Sequence, residues 1–127
     1  GIVKITALDH IQLAMPAGEE RQARRFYSEI LGLPELAKPA PLASRGGCWF
    51  GTEKIQLHMG VEEPFQPARK AHPALAVHDL DELARRLEKA GCEVKWDDSV
   101  PSVRRFFCND PFGNRIEFLR EGDRFLD

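Results

Sequence analysis

Cysteine is scarce. Cys48, Cys92 and Cys108 are an odd number with no Cys-x-x-Cys pair, which excludes a disulfide framework and fits free thiols in a reducing cytoplasm. No apolar run approaches the roughly 18–20 residues of a membrane span. The first residues lack the basic, apolar, then small-residue order of a secretory signal. Charge of one sign is missing as well: 18 basic residues are scattered among 20 acidic ones, for a net charge of −2. A basic stripe, the footprint of a nucleic-acid surface, is therefore absent. These absences predict a soluble, cytoplasmic protein with neither nucleic acid nor membrane as partner. What remains is ordinary globular material, 43% hydrophobic and 30% charged, in a chain of 127 residues. That length suits a single domain over 1–127 with a core that needs no covalent staple.

Periodicity changes several times along the chain. Leu8–Met15 (LDHIQLAM) alternates, with Ile11, Leu13 and Met15 on one face and His10, Gln12 and Ala14 on the other. Beyond Pro16–Gly18, Ala23, Phe26, Tyr27, Ile30 and Leu31 form a helical stripe that Gly32 and Pro34 terminate. Gly46–Thr52 and Lys54–Met59 read as strands about a turn, and 60–71, with its prolines, as a connecting loop. The pattern then restarts. Ala71–Val77 is a strand, and Asp79 with Glu82 has the form of a capping box. Leu80, Leu83, Ala84 and Leu87 make a second helix stripe that Gly91 stops. Val103–Cys108 and Arg115–Arg120 are strands joined through the turn signal Asn109–Asn114 (NDPFGN). A further short strand is expected in each half, within 36–42 and 93–96.

The halves match. His10 corresponds to His72, Ala23-Arg24-Arg25 to Ala84-Arg85-Arg86, and Gln56 to Glu117, at a nearly constant spacing of about 61 residues. The chain is thus an α+β protein of two tandem strand–helix–strand–strand repeats, about 6–60 and 70–121. In both repeats the first strand carries a His, and the last a Gln or Glu, opposite the large apolar residues. If those apolar residues meet the helices, the other sheet face carries His10, Gln56, His72 and Glu117. Two imidazoles and a carboxylate suit a divalent transition ion and leave positions open for substrate. Gln56 can add a carbonyl oxygen, and His58, on the same face, is an alternative third nitrogen. One of Arg104 and Arg105 can face the same cavity and bind an anionic group. Trp49, Phe50, Trp96, Phe106 and Phe107 serve equally as groove lining or core.

Four segments carry a resemblance: DHIQLAM at 9–15, RRFYSEILGL at 24–33, AHPALAV at 71–77 and DPFGNRIEFL at 110–119. In this order they resemble the vicinal oxygen chelate superfamily of glyoxalases, bleomycin-resistance proteins, fosfomycin transferases and extradiol dioxygenases. The resemblance implies paired βαβββ modules, a cup-shaped mixed sheet around the active site, and a homodimer whose sites often draw on both chains. It implies His10, Gln56, His72 and Glu117 as ligands of a divalent ion (Zn, Ni, Co, Mn or Fe), and a small-molecule substrate. Bacterial glyoxalase I has Glu where this chain has Gln56. An amide cannot accept a proton at neutral pH, so Glu117 is left as the catalytic carboxylate. The expected function is metal-dependent lyase or isomerase chemistry on an oxygen-rich metabolite. The alternative is a metal-free protein that sequesters a drug or metabolite.

Overall fold

The structure is a computed structural model that describes residues 1–125. Alternation in the first segment becomes strand β1 (Ile11–Met15). It starts three residues later than the sequence pattern suggests, where pairing with strand β4 (Gln56–Val61) begins with Ile11 opposite Leu57. The first helix, α1 (Glu20–Ala23), continues as a π-helical run over Arg24–Ile30. Leu31 N donates to Phe26 O five residues back, and Gly32, at φ 80°, ends the run. The short strand β2 (Glu35–Leu36) and strand β3 (Gly47–Gly51) precede β4.

The second half repeats the order with β5 (Ala74–Val77), α2 (Leu80–Lys89), β6 (Lys95–Asp97), β7 (Arg105–Asn109) and β8 (Arg115–Arg120). Asp79 caps α2 by accepting from Glu82 N at 3.1 Å. The Glu82 carboxylate turns to Arg85 instead of closing a reciprocal box. Pro73 has no N–H for a ladder, so β5 starts after it, and its carbonyl accepts from Glu117 N.

Each half forms a mixed four-stranded sheet, β1-β4-β3-β2 and β5-β8-β7-β6, in which only the first pair is parallel. β1 and β5 are therefore free along one edge. Met15, Cys48, Phe50, Leu57 and Met59 of the first sheet share one core with Leu75, Phe106, Cys108, Ile116 and Phe118 of the second, with both helices packed between. Polar ties join the halves. Tyr27 Oη donates to Asp110 Oδ2 at 2.6 Å, and Asn114 Nδ2 donates to both Asp110 Oδ2 and Ala14 O, each at 2.8 Å. The DPFGN turn thus pins one module to the other. Burial lifts the Asp110 carboxyl above the usual carboxylate range against the pull of its hydrogen bonds, and burial beside Asp110 lifts the Tyr27 phenol well above its own. Among the described residues no helix is long and apolar enough to cross a membrane.

Candidate metal and substrate site

With the apolar faces committed to the core, alternation leaves the polar residues of both sheets on the opposite faces. On the first sheet the rings of His10 and His58 stack at 4.3 Å, and His58 stacks on Trp49 at 3.7 Å. His58 Nε2 lies 3.1 Å from Gln56 Oε1. Oε1 only accepts, so Nε2 carries the ring proton and Nδ1 keeps its lone pair. Burial, followed by the nearby His10, lowers the His58 pKa and favours the neutral ring. His10 sits just ahead of β1, its Nδ1 2.8 Å from the exposed Asp9.

On the second sheet His72 precedes β5 and reaches Glu117 on β8, with Nε2 to Oε1 at 2.9 Å. Its other nitrogen, Nδ1, donates to Lys70 O at 2.9 Å. Glu117 Oε1 only accepts when ionised, so a proton on His72 Nε2 or a cation satisfies this contact. Glu117 is only 3% exposed, and Arg105 Nη1 also approaches Oε1, at 3.2 Å. The second carboxylate oxygen, Oε2, is buried with no hydrogen-bond partner. Phe107 lies across the ladder from Glu117 and takes the His72 ring edge-on at 5.3 Å.

The chain therefore gathers the four expected ligands in two groups: His10 and Gln56, each against His58, on the first sheet, and His72 with Glu117 on the second. Within one chain, no group of three or more His, Cys, Asp or Glu able to hold an ion occurs among the described residues. Strand register also revises the match between the halves. His58 pairs with Gln12 and Trp49, while Glu117 pairs with Ala74 and Phe107. The spacing that equates His10 with His72 equates Gln12 with Ala74, so His58, two residues beyond Gln56, occupies the place of Glu117. The first half is longer between these paired positions, 46 from Gln12 to His58 against 43 from Ala74 to Glu117, and sequence spacing alone hides that difference.

The remaining candidates divide cleanly. Phe50 and Phe106 are core, whereas Trp49 and Phe107 line the open faces. Arg105 faces the site, while Arg104 turns away to Asp81 and the Trp96 ring. Arg115 was not singled out by motif, although alternation in RIEFLR puts it on the Glu117 face. His78 is exposed beside Glu121.

Comparison with known proteins agrees with this architecture. The family described as Glyoxalase/Bleomycin resistance protein/Dioxygenase superfamily matches residues 7–118. No curated protein matches the chain significantly. Among solved structures, a protein of Bacillus anthracis assigned to the glyoxalase family is 46% identical, with a TM-score of 0.91 over 98% of this chain and 100% of that one. The fosfomycin resistance protein FosX of Listeria monocytogenes is 18% identical, with a TM-score of 0.73 over 92% and 94% of the two chains. The antibiotic-binding protein TnmS3 of a Streptomyces species is 22% identical, with a TM-score of 0.71 over 94% and 98%. The two distant likenesses show a shared fold, whereas the family match spans both modules and both pairs of candidate ligands. The chain belongs to the glyoxalase/bleomycin resistance protein/dioxygenase superfamily.

Proposed function

We propose that this chain is a divalent-metal-dependent enzyme acting on a small oxygen-rich metabolite, with its site completed by a second copy of the chain. One observation carries the reading. The buried Glu117 holds one oxygen, Oε2, without a hydrogen-bond partner, while its other oxygen meets His72 Nε2 and Arg105 Nη1. A buried carboxylate oxygen left without a partner is costly unless a further donor or cation meets it. The donor chemistry fits such an ion, because imidazoles with one carboxylate suit Zn, Ni, Co, Mn or Fe. His10, His72 and Glu117 would hold it. Of the two candidates on β4, register and the free Nδ1 favour His58 as the ligand, with Gln56 orienting its ring.

When bound, the ion supplies Lewis-acid polarisation of adjacent substrate oxygens. Glu117 is the group suited to take up a proton, Arg105 fixes its orientation, and Phe107 restricts water around it. Homodimerisation is supported by the separation of the two ligand pairs and by the free edges of β1 and β5. It is also supported by an N-terminal arm whose Ile2, Val3, Ile5 and Leu8 are 97%, 95%, 92% and 78% exposed. Apolar side chains presented this way normally find a partner.

Elemental analysis of untagged, chelator-free protein tests the reading. We expect close to one ion per chain, lost in His72→Ala, Glu117→Gln and His58→Ala but retained with weaker affinity in Gln56→Ala. Mixing His10→Ala with His72→Ala chains should restore metal to heterodimers, because one shared site then keeps every ligand. Wild-type protein that resists loading with all five ions would overturn the proposal in favour of metal-free sequestration.

A further inference from the structure

The open face of the second sheet holds a cation without a role. Register sets Arg115 and Glu117 side by side on β8, facing Asn109 and Phe107 on β7, with Lys95 on β6 beyond Phe107. Two guanidinium groups lie over the same Phe107 ring, Arg105 at 5.1 Å and Arg115 at 4.0 Å. Their circumstances differ. Arg105 is 15% exposed and spent, with Glu117 at 3.2 Å and Asp97 at 3.6 Å. The Arg115 side chain makes no hydrogen bond or ion pair among the described residues, and its specific contact is the aromatic face. That contact orients the guanidinium plane while leaving its five N–H donors free.

Beside it opens a cavity of about 480 Å³ lined by Lys95, Phe107, Asn109 and Arg115, together with Glu93 and Asp97. The two acids do not cancel Arg115. Asp97 is engaged by Ser99 through one oxygen and by Arg105 through the other, and Glu93 is paired with Lys95 at 4.0 Å. A planar, pre-oriented fork with free donors is suited to a carboxylate held by two parallel N–H···O bonds.

We infer that Arg115, with Asn109 beside it, binds a carboxylate of the substrate, so that the site takes small oxygenated organic acids and not neutral metabolites. This inference rests on the proposed reading for the position of the reacting end of the substrate. Residues two apart on a strand are about 7 Å apart. A carboxylate at Arg115 therefore leaves room for a chain of two or three carbons before the oxygens that meet the Glu117–His72 end. Phe107 forms the floor between the two ends.

The test uses chelator-treated full-length protein, with arginine Nε–H signals followed by two-dimensional NMR. The probe is sodium malonate, with malonamide at matched ionic strength as its neutral counterpart. Malonate should shift the Arg115 signal saturably and malonamide should not. Arg115→Gln should weaken malonate binding at least tenfold and Arg115→Lys, which keeps charge but loses the fork, at least threefold. Arg21→Ala, on the exposed face of α1, should leave it unchanged. The inference is overturned by an equal response to malonamide, by no saturable shift, or by Arg115→Gln binding within twofold of wild type. Should Arg115→Gln fail to fold, the Arg115→Lys threshold decides. Metal content is measured separately. Loss of malonate binding in metal-competent protein refutes only this inference, and malonate binding in protein that takes no metal refutes only the functional reading.

Discussion

Asp110 is the joint between the two modules, and its removal should be among the most damaging single changes in the chain. Its carboxylate accepts from Tyr27 Oη at 2.6 Å, Phe112 N at 2.9 Å, Asn114 N at 2.8 Å and Asn114 Nδ2 at 2.8 Å. Asp110→Ala strands these donors, and both Tyr27 and Asn114 are buried where water cannot replace the lost acceptor. A buried unsatisfied donor costs about 1–3 kcal/mol. Counting only Tyr27 Oη and Asn114 N gives about 4 kcal/mol, a large share of the 5–15 kcal/mol typical of a whole domain. Tyr27→Phe removes one bond but leaves Asp110 three donors, and should cost about 1–2 kcal/mol. Urea unfolding followed by tryptophan fluorescence measures both. The pH dependence adds a sign. Burial raises the Asp110 pKa in the folded protein, so its proton-linked stabilisation is complete below the ordinary carboxylate range and is lost as pH rises through the raised value. The stability difference between wild type and Asp110→Asn should therefore fall as pH rises from about 4 and then level off. An Asp110→Ala cost under about 1 kcal/mol, or a difference that grows with pH, would refute the reasoning.

Two further outcomes follow from backbone space and from burial. Gly47 sits at φ 96°, where an added Cβ would lie 2.1 Å from Met59 O. Gly47→Ala meets rigid ladder backbone, and should lower stability by at least about 2 kcal/mol on thermal unfolding. Burial pushes the Cys48 and Cys108 thiols up to about 11 and about 12, whereas Cys92 is half-buried. A thiol reagent at pH 8 should thus titrate Cys92 alone in native protein and all three thiols in urea, and prompt labelling of Cys108 in the native state would contradict the burial argument.

Much was already written in residue order. Alternation separated Ile11, Leu13 and Met15 from His10 and Gln12, and Ile116 and Phe118 from Glu117, because strand side chains change face at every residue whatever the strand pairs with. The helical stripes, the Gly32 stop and the Asp79 cap are equally local. The duplication was visible because both modules meet the same demand, one apolar face on a shared core. What a sequence does not encode locally is register and partnership. Only the ladders showed that His58 rather than Gln56 stands where Glu117 stands, since three extra residues between β1 and β4, against β5 and β8, shift the equivalent position along β4. Only packing turned DPFGN from a turn signal into the tie to Tyr27 and Ala14, and left Arg115 unpaired over Phe107 while Arg105 was spent on Glu117. The His10 and His72 pairs were separated by the same cause. Each belongs to its own sheet, and the two sheets gave their apolar faces to one core, so the polar faces of a single chain do not close on each other.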